Sequence, residues 1–424
     1  MSKKKQILFV HQNFPAQFKS LAPTLANSDN YEVFSLSLAE NKKNLKSTNF
    51  ETYFYSLTSG NNEGTHRLAL EFEAKMLRAE AAAKKCIELK NNGLNPNIII
   101  SHPGWGETLF LKEIWPDSKL LNYFEFYYHT SNSDVDFDDD KDIQSDKGFN
   151  LYTKLIARTS PLLTSYLQSD ALITPTKFQA SMAPKSIEKN INVIHDGIQT
   201  KILKPYKDAY ITLAKNAIVE EEQKLTKKDK IITFVNRNLE PYRGYHIFMR
   251  SLPDILEKHP DAYILIIGGH DVSYGARPPE GQSYKDIYFN EVKEDIKDHI
   301  DRVRFLGRVD YKSLLALFAV SSAHVYFTYP FVLSWSMLEA MAMECLVVGS
   351  KTEPVEEVIR DSQNGFLLDF FDPKGLAAKI NEVLDNKDDF GKIRTNARKT
   401  IIKNYDLDTV CLPKQTELVE SLLK

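Results

Sequence analysis

Residues 324–350 read HVYFTYPFVLSWSMLEAMAMECLVVGS and contain a complete strand–helix–strand unit. HVYFT and CLVVGS predict two buried strands, YPFVLS predicts a loop, and WSMLEAMAME predicts a helix. The carboxylate of Glu339 lies in the middle of this apolar segment, where burial is costly unless the group is paired or hydrogen-bonded. Two interpretations follow from the pattern: a structural carboxylate turned toward solvent, or an acceptor for the hydroxyl groups of a ligand.

The same alternation of β-rich runs and helical patterns extends along all 424 residues and predicts parallel sheets built from βαβ units. The strand candidates are QILFV, YEVFSL, NIIIS, LLNYF, ALIT and INVI in the first half, and IITFV, AYILIIG, VRFLG, HVYFT, LVVG and GFLLDF in the second. Residues 201–229 are polar and rich in Lys and Glu, which predicts a linker with room for one helix. We therefore predict the α/β class, with two doubly wound domains and a ligand cleft between them.

The composition excludes several kinds of protein. A net charge of −3 provides no field that would attract nucleic acid or an anionic membrane. Cys86, Cys345 and Cys411 lack the spacing of metal ligands and indicate a reducing compartment. No apolar run approaches the roughly 20 residues that a membrane span needs. These features predict a cytoplasmic protein, and peripheral contact with the inner face of a membrane stays open.

Two arginines follow the predicted strand IITFV, in the stretch NRNLEPYRG. Arg237 and Arg243 precede a predicted helix that begins after Gly244. Guanidinium groups beside the N–H groups of a helix N-terminus form a good receptor for a diphosphate. Taken alone, the two arginines favour a solvated pair on a surface turn slightly over a diphosphate receptor.

Glycines end two further strands of the second half. Gly268 and Gly269 in LIIGG, and Gly307 in VRFLG, would let a ligand approach the backbone closely, although a tight turn needs the same residues. The dinucleotide-binding pattern GxGxxG follows no strand in this sequence.

Three features of the first half could also carry function. In HPGWGE, Trp105 could stack on a sugar ring or serve as a buried anchor, and both interpretations fit equally well. His11 follows the first strand and either faces the cleft or caps a turn. The acidic run SDVDFDDDKD at 133–142 imitates the metal-binding motif DxD. We predict that it is solvated charge, or at most a lid on the acceptor side.

Several stretches of the second half resemble the nucleotide-sugar domain of family-4 (group 1) glycosyltransferases. They are FVNRNLEPYRG, LIIGG, VRFLGRV and SWSMLEAMAMECLVVGSKTEPVEEVIRDSQNGFLLDF. In the first half, LFVHQNFPAQFKSLAPTL and NVIHDGI are similar to the opening and interdomain segments of this family. SHPGWGETLFLKEIWPDSKLLNYFEFYYH is similar to a bacterial branch with HPGWGE and RNLEPYRG motifs. The resemblance implies the GT-B fold, in which two doubly wound Rossmann-like domains face each other across a cleft.

This resemblance also implies a division of the chain. Residues 1–200 would form an acceptor-side domain, and 201–229 the linker. Residues 230–400 would form the nucleotide-sugar-binding domain. The last segment, 401–424, would contain a helix that packs back toward the first domain.

The family pattern assigns roles to matching positions. Arg237 and Arg243 would neutralise the departing diphosphate, and Glu339 would hold the ribose of the donor. Backbone groups at Leu333, Ser334 and Trp335 would face the phosphate, and those around Gly268, Gly269 and Gly307 would line the rest of the donor site. No cofactor and no metal ion would be needed.

Two departures from the family pattern concern the transferred sugar. Phe331 stands where the family has its first signature glutamate, so recognition of the donor sugar is not carried over. Glu125 stands where the family has an active-site histidine. Either Glu125 takes over that contact, or His129 or His102 does so.

The resemblance therefore implies a hexosyltransferase, retaining and metal-independent, that uses a UDP or GDP sugar and a glycan or lipid-linked acceptor in surface polysaccharide synthesis. A nucleotide-sugar 2-epimerase of the same architecture is the enzymatic alternative, and it would convert its donor without an acceptor. A non-catalytic scaffold that binds nucleotide without consuming any donor is the alternative from another class.

Overall fold

The structure is a computed structural model that describes residues 4–44, 48–131, 133–139, 148–215, 219 and 221–424. The chain divides into two compact units. Unit 1 comprises Met1–Thr130, Asp146–Gly197 and Leu407–Lys424, and unit 2 comprises Ser131–Ser145 and Ile198–Asp406.

Unit 1 is built on a sheet in which seven described strands run parallel, in the order β3-β2-β1-β4-β5-β6-β7. The strands are β1 (Lys5–Val10), β2 (Tyr31–Leu38), β3 (Glu51–Tyr55), β4 (Ile98–Ser101), β5 (Lys119–Tyr123), β6 (Ala171–Thr174) and β7 (Ile191–Val193). The helices before residue 200 are α1 (Leu21–Ala26), α2 (Leu70–Asn91), α3 (Leu111–Ile114), α4 (Gly148–Leu167) and α5 (Lys177–Ser181). Apolar clusters cover both faces of the sheet, as expected for continuous apolar strands such as NIIIS.

Unit 2 repeats this plan with six described parallel strands in the order β12-β11-β10-β13-β14-β15, and it adds an antiparallel hairpin of β8 and β9. The strands are β8 (Tyr210–Leu213), β9 (Gln223–Thr226), β10 (Ile231–Asn238), β11 (Tyr263–Gly269), β12 (Val303–Gly307), β13 (Ala323–Tyr326), β14 (Val347–Ser350) and β15 (Phe366–Leu368). The helices are α6 (Tyr245–Lys258), α7 (Tyr284–Val292), α8 (Tyr311–Val320), α9 (Trp335–Ala342), α10 (Glu353–Glu356), α11 (Pro373–Asp385) and α12 (Gly391–Tyr405).

The chain ends in unit 1 with α13 (Leu412–Leu422), whose Val419 is fully buried in an apolar cluster of that unit. Within the described residues, no helix combines the length and the apolar character that crossing a membrane would require.

Each sheet changes direction beside its first strand. β1 lies between β2 and β4, and β10 lies between β11 and β13. In open parallel sheets, ligands bind outside the carboxyl ends of the strands at such switch points. The loops after these strands are therefore the places to look for a site in each unit.

The strand predictions for both halves are confirmed, apart from two omissions. The edge strand β3 was not predicted. Residues 201–229, predicted to be a linker with one helix, contain the β8–β9 hairpin instead, because Leu213 and Leu225 are buried and join the core of unit 2. The domain boundaries and the cleft stay predictions.

The acidic run was assigned to the first domain, but its described part groups with unit 2. We refer to residues 133–139 as the acidic segment. It contains one helical turn, Asp134–Asp136, and Ser133 and Asp136 close this turn with reciprocal hydrogen bonds between side chain and backbone. The rest of the run lies outside the described residues.

Buried carboxylates attach the acidic segment to unit 2, so the prediction that it is solvated charge is wrong. Tyr242 donates its hydroxyl to Asp134 Oδ2 at 2.7 Å. Tyr329 donates to Asp138 Oδ2 at 2.7 Å, and His246 Nε2 lies 3.0 Å from the same oxygen. The Asp138 side chain is only 3% exposed. Since a buried carboxylate must be hydrogen-bonded, these contacts account for the position of the segment.

We predict that Asp138→Ala lowers the free energy of unfolding by about 1–3 kcal/mol, because it leaves the Tyr329 hydroxyl buried without its acceptor. Chemical denaturation measures the change. The control is Asp139→Ala, at the exposed neighbouring position. Equal losses in the two variants would contradict the structural role of Asp138.

Candidate functional site

The turn after β10 positions the two arginines predicted from the sequence. Arg237 is the penultimate residue of β10, and Arg243 ends the helical turn Pro241–Arg243. Gly244 then starts α6 with a φ of 68°, and a Cβ at this position would come within 2.3 Å of the Phe327 side chain. Both facts require glycine there, so the predicted helix start after Gly244 is confirmed.

A cavity of about 430 Å³ opens at the carboxyl ends of β10, β11 and β12. This volume falls in the range of small-molecule sites. The lining residues are Val235, Asn236, Arg237, Ile267, Arg308, Val309, Leu314, Ser334 and Ser336. The cavity thus has an apolar floor, two guanidinium groups and two hydroxyl groups.

Neither guanidinium group of the cavity forms an ion pair with a carboxylate of the described residues. Arg237 is exposed and forms no hydrogen bond or ion pair with the part of the chain that the structure describes. Arg308 has only a long contact of 3.5 Å from Nη2 to Asn238 Oδ1. A site with unpaired guanidiniums favours an anionic ligand, and guanidinium geometry suits phosphate. The sequence pattern revealed Arg237 but not Arg308, although Arg308 directly follows Gly307.

Arg243 is buried instead of lining the cavity. It is 7% exposed, and its Nη1 donates to Thr328 Oγ1 at 2.8 Å and to the carbonyl of Val332 at 2.9 Å. These acceptors are uncharged, so the positive charge of the guanidinium is retained beneath the loop that follows β13.

Aromatic rings surround this guanidinium. Phe331, in the position of the family's first glutamate, is 2% exposed and packs edge-on against Tyr242 and Tyr274 at 5.5 and 4.8 Å. The Arg243 guanidinium carbon lies 5.3 Å from the centre of the Tyr274 ring and 5.9 Å from that of Phe331. Phe331 therefore supports Arg243 through packing and cation–π contact and offers no acceptor to a sugar hydroxyl.

Glu240 is a buried residue of the same turn that the sequence analysis did not single out. It is 1% exposed, and its Oε2 accepts the backbone N–H groups of Ser273 and Tyr274 at 2.7 and 3.2 Å. It thus fixes the loop that carries the Tyr274 ring. Burial raises the pKa of Glu240 to about 7, although those two N–H groups and the charges of Arg243 and Arg237 act in the opposite direction. The sequence signal that could have identified Glu240 is its position between two arginines, Arg237 and Arg243, in one short turn.

Glu339 lies on α9 and is half-buried, while its neighbours Leu338 and Ala340 are fully buried. Its Oε1 accepts the hydroxyl of Tyr311 at 2.8 Å. This contact shows how the apolar helix accommodates a carboxylate. The role of Glu339 in holding a ribose stays a prediction.

Side chains fill the space beside the first two candidate glycines. A Cβ on Gly268 would meet Leu239 at 2.7 Å, and a Cβ on Gly269 would meet Asn238 Oδ1 at 2.5 Å. Gly307 has a φ of 63° and open space around it, so its backbone conformation is what favours glycine. Close approach of a ligand at these three positions stays a prediction.

The start of α9 has internal hydrogen bonds of its own. The Ser334 N–H donates to the hydroxyl of Tyr326 at 2.8 Å, and the Ser334 hydroxyl accepts the N–H of Ser336 at 3.3 Å. Leu333 is buried, whereas Trp335 is half-buried. The predicted phosphate contact of these backbone groups is not tested by this geometry.

In unit 1, three candidates come together at the carboxyl ends of β1 and β4. The ring centre of His102 lies 5.0 Å from that of His11 and 4.9 Å from that of Trp105, and His11 and Trp105 are 5.1 Å apart. Both histidines are 1% exposed, and Trp105 is half-buried. Burial, followed by the nearby charge of His102, holds the pKa of His11 well below its ordinary value.

The two remaining first-unit candidates differ in their surroundings. Glu125, after β5, has a side chain that is 41% exposed, and its Oε2 lies 3.6 Å from His102 Nε2. The Nε2 of His129 donates to the carbonyl oxygen of Met182 at 2.7 Å. The structure thus brings Glu125 to His102, whereas His129 is engaged by the backbone.

Two family models match the chain. Residues 30–203 match the model described as Glycosyl transferase family 4 group, and residues 217–400 match the model described as Glycosyl transferases group 1. Together these ranges extend over most of the chain and support its assignment to the group 1 glycosyltransferases. Both matched models describe glycosyltransferase domains.

Individual relatives match part of the chain. Spore coat protein SA of Bacillus subtilis is 29% identical over 42% of this chain and 45% of its own length. The phosphatidyl-myo-inositol mannosyltransferase of Mycolicibacterium smegmatis is 28% identical over 38% of this chain and 37% of its own length. The chain thus matches less than half the length of these curated relatives.

A solved structure supports the fold. Anabaena HepE, crystallised with UDP and glucose, superimposes with a TM-score of 0.66 at 15% identity and covers 98% of this chain and 100% of its own. Identity this low bears on the fold alone. The predicted α/β fold of GT-B type, with two Rossmann-like units, is confirmed.

Glu240 gives a pH-dependent prediction. A carboxyl with a pKa near 4.5 when unfolded and about 7 when folded binds more protons in the folded state between those values. Its contribution to stability is therefore fully present below the lower pKa and is lost as the pH rises through the higher one. We predict that the free energy of unfolding of wild type, relative to Glu240→Gln, falls by up to roughly 3 kcal/mol over this window.

Chemical denaturation of both proteins at a series of pH values gives this difference. Glutamine keeps an acceptor for the two backbone N–H groups but cannot ionise. Parallel stability curves for the two proteins would show that the Glu240 carboxyl titrates normally.

Proposed function

We propose that this protein is a retaining, metal-independent glycosyltransferase that moves a hexose-type sugar from a nucleotide-diphosphate sugar to a glycan or glycolipid acceptor. The observation that carries the proposal is the charge of the cavity in unit 2. Arg237 and Arg308 line it without a carboxylate partner among the described residues, and Arg243 keeps its charge in the adjoining turn.

This charge suits the chemistry of the reaction. Cleavage of the bond between the sugar and the diphosphate leaves negative charge on the diphosphate, while positive charge develops at the anomeric carbon. Preorganised guanidinium groups stabilise the departing anion without moving at the moment of reaction. In the proposed mechanism, Arg237 and Arg243 supply this stabilisation, and Glu339 binds the ribose hydroxyls.

The structural neighbours support one donor class. HepE was crystallised with UDP-glucose as well as with UDP, and one relative is named as a mannosyltransferase. UDP sugars are therefore the first donors to test, and GDP sugars are included because the family resemblance implies them. Retention at the anomeric carbon and a role in surface polysaccharide synthesis rest on the family resemblance. The HPGWGE and RNLEPYRG motifs support membership of the bacterial branch of this family. In this proposal the protein works in the cytoplasm and makes peripheral contact with the membrane.

One observation favours a second candidate, the nucleotide-binding scaffold. Phe331 replaces a carboxylate that contacts the transferred sugar in the family, and the structure buries it among aromatic rings. A scaffold would bind nucleotide and consume no donor. A 2-epimerase would instead yield a new nucleotide sugar without an acceptor.

We predict that Arg243→Ala lowers the turnover of the preferred donor by about 10²–10³-fold, as losing a preorganised charge stabiliser does. Because Arg243 is buried, Arg237→Ala provides a second test at an exposed position, and turnover should fall there too. Release of UDP from UDP-glucose and of GDP from GDP-mannose measures the rate.

Arg250→Ala is the matched control, since Arg250 pairs with Glu291 on α7 and does not line the cavity. Near-normal turnover in Arg237→Ala and Arg243→Ala would contradict the assigned mechanism. Binding of nucleotide by wild type without release of either product would favour the scaffold.

A further inference from the structure

Unit 2 contains a further cavity, which we call the second cavity to distinguish it from the first cavity, the one that Arg237 lines. The second cavity lies beside the amino ends of the strands, because Ser322 directly precedes β13 and Glu344 lies shortly before β14. Its volume of about 260 Å³ suits a small molecule, since pockets for drug-sized ligands begin at about 300 Å³. A ligand bound there would leave the first cavity free.

The floor of the second cavity is apolar. Phe318 and Val320 come from the end of α8, and Met343 follows α9. Each of these three residues is at most 2% exposed. The same two helices contribute Leu314 and Ser336 to the first cavity. The second cavity is therefore a separate place in the fold, although α8 and α9 extend from one cavity to the other.

Five charged side chains surround this apolar floor. Three are cations, Lys227, Lys387 and Arg394, and two are carboxylates, Glu344 and Asp388. None of the five forms an ion pair within the part of the chain that the structure describes. Opposite charges that line one cavity without pairing with each other are available to a ligand.

Backbone carbonyl groups position the two half-buried cations. Lys387 Nζ donates to the carbonyls of Lys227 and Asp229 at 3.0 and 2.5 Å, and Arg394 Nη2 donates to that of Ser322 at 2.6 Å. These acceptors are uncharged, so both positive charges remain. Burial lowers the pKa of Lys387 and the pKa of Arg394, although nearby acidic side chains act in the opposite direction. A bound anion would offset this cost of burial.

The two kinds of charge together define a ligand class. Guanidinium and ammonium groups bind phosphate oxygens. Ionised carboxylates only accept hydrogen bonds, so Glu344 and Asp388 require a ligand with donors, such as hydroxyl groups. Inorganic phosphate brings the anion without the sugar hydroxyl groups, and a free sugar brings the hydroxyl groups without the anion. A sugar phosphate carries both in one small molecule.

We propose that the second cavity binds a sugar phosphate, with its phosphate group beside Lys227, Lys387 and Arg394 and its hydroxyl groups beside Glu344 and Asp388. This site is additional to the nucleotide-sugar site of the proposed function and does not depend on it.

Isothermal titration calorimetry of the full-length protein measures this binding. The probes are glucose 6-phosphate, glucose 1-phosphate, mannose 6-phosphate and mannose 1-phosphate, and the comparisons are inorganic phosphate and free glucose. We expect a sugar phosphate to bind roughly tenfold more tightly than inorganic phosphate, because it adds hydrogen bonds to the carboxylates. No binding of any of the four at millimolar concentration, or equal affinity for inorganic phosphate or for free glucose, would overturn the proposal.

A charge reversal at Lys227 tests the position of the phosphate group. Lys227 is exposed, and its side chain forms no hydrogen bond or ion pair with the described residues, so Lys227→Glu should fold normally. We expect this variant to bind the sugar phosphate about tenfold more weakly, since it replaces an attraction by a repulsion. The matched control is Lys228→Glu, at an exposed neighbour that does not line the cavity. Equal losses of affinity in the two variants would overturn the proposal.

Removal of one carboxylate tests the position of the hydroxyl groups. We expect Asp388→Asn to reduce the preference for the sugar phosphate over inorganic phosphate, because it removes a strong acceptor for hydroxyl groups and a charge that repels phosphate. The control is Asp389→Asn, at an exposed neighbour outside the cavity lining. An unchanged preference in Asp388→Asn would overturn the proposal.

The first cavity is the competing place for a phosphate group, and Arg237→Ala distinguishes the two. Unchanged affinity for the sugar phosphate in Arg237→Ala supports the second cavity. A loss of affinity in Arg237→Ala that Lys227→Glu does not reproduce would place the ligand in the first cavity and overturn the proposal. Binding of a sugar phosphate by a protein that binds no nucleotide would support this site and contradict the proposed function.

Discussion

The buried guanidinium of Arg243 is the group on which the functional face of unit 2 depends. A charge removed from water must be hydrogen-bonded, and the available acceptors are Thr328 and the Val332 carbonyl in the loop after β13. Their bonds connect that loop to the turn after β10, so the ends of two adjacent strands are fixed together. Tyr274, positioned by Glu240, adds an aromatic ring above the same charge. A change in this one side chain would therefore affect the turn, the loop and the rings at once.

The two units use the carboxyl ends of their strands for different chemistry. In unit 2 the exposed groups are guanidiniums, Arg237 and Arg308, which suit the phosphates of a nucleotide. In unit 1 the polar groups at these strand ends are the buried imidazole of His102 and the partly exposed carboxylate of Glu125. The same sheet topology is thus present in both units, with different polar groups at the carboxyl ends of its strands.

The sequence predicted what depends on local patterns, and it failed where distant residues decide. The alternation of strands and helices was sufficient for the fold class, and the turn at Gly244 followed from residue type. The acidic run at 133–142 was predicted to be solvated because ten neighbouring residues rich in Asp favour water. Only the folded unit reveals the hydroxyl of Tyr329, nearly two hundred residues away in sequence, that makes burial of Asp138 favourable. Arg308 was not predicted because the strand-end signal in VRFLG was Gly307. The lack of a hydrogen-bond partner at His102 Nε2 among the described residues depends on contacts that no linear pattern contains.

The most direct test of the account is binding of nucleotides, four nucleoside diphosphates and CMP, to the full-length protein. Thermal unfolding is measured with UDP, GDP, ADP, TDP and CMP, each with and without EDTA, in wild type and in Arg237→Ala. A ligand at 100 times its dissociation constant adds about 2.7 kcal/mol to the stability of the folded state, which is readily observed. The account predicts that one nucleoside diphosphate raises the melting temperature equally with and without EDTA, and that Arg237→Ala reduces the shift. No shift with any nucleotide, or a shift that EDTA abolishes, would contradict it.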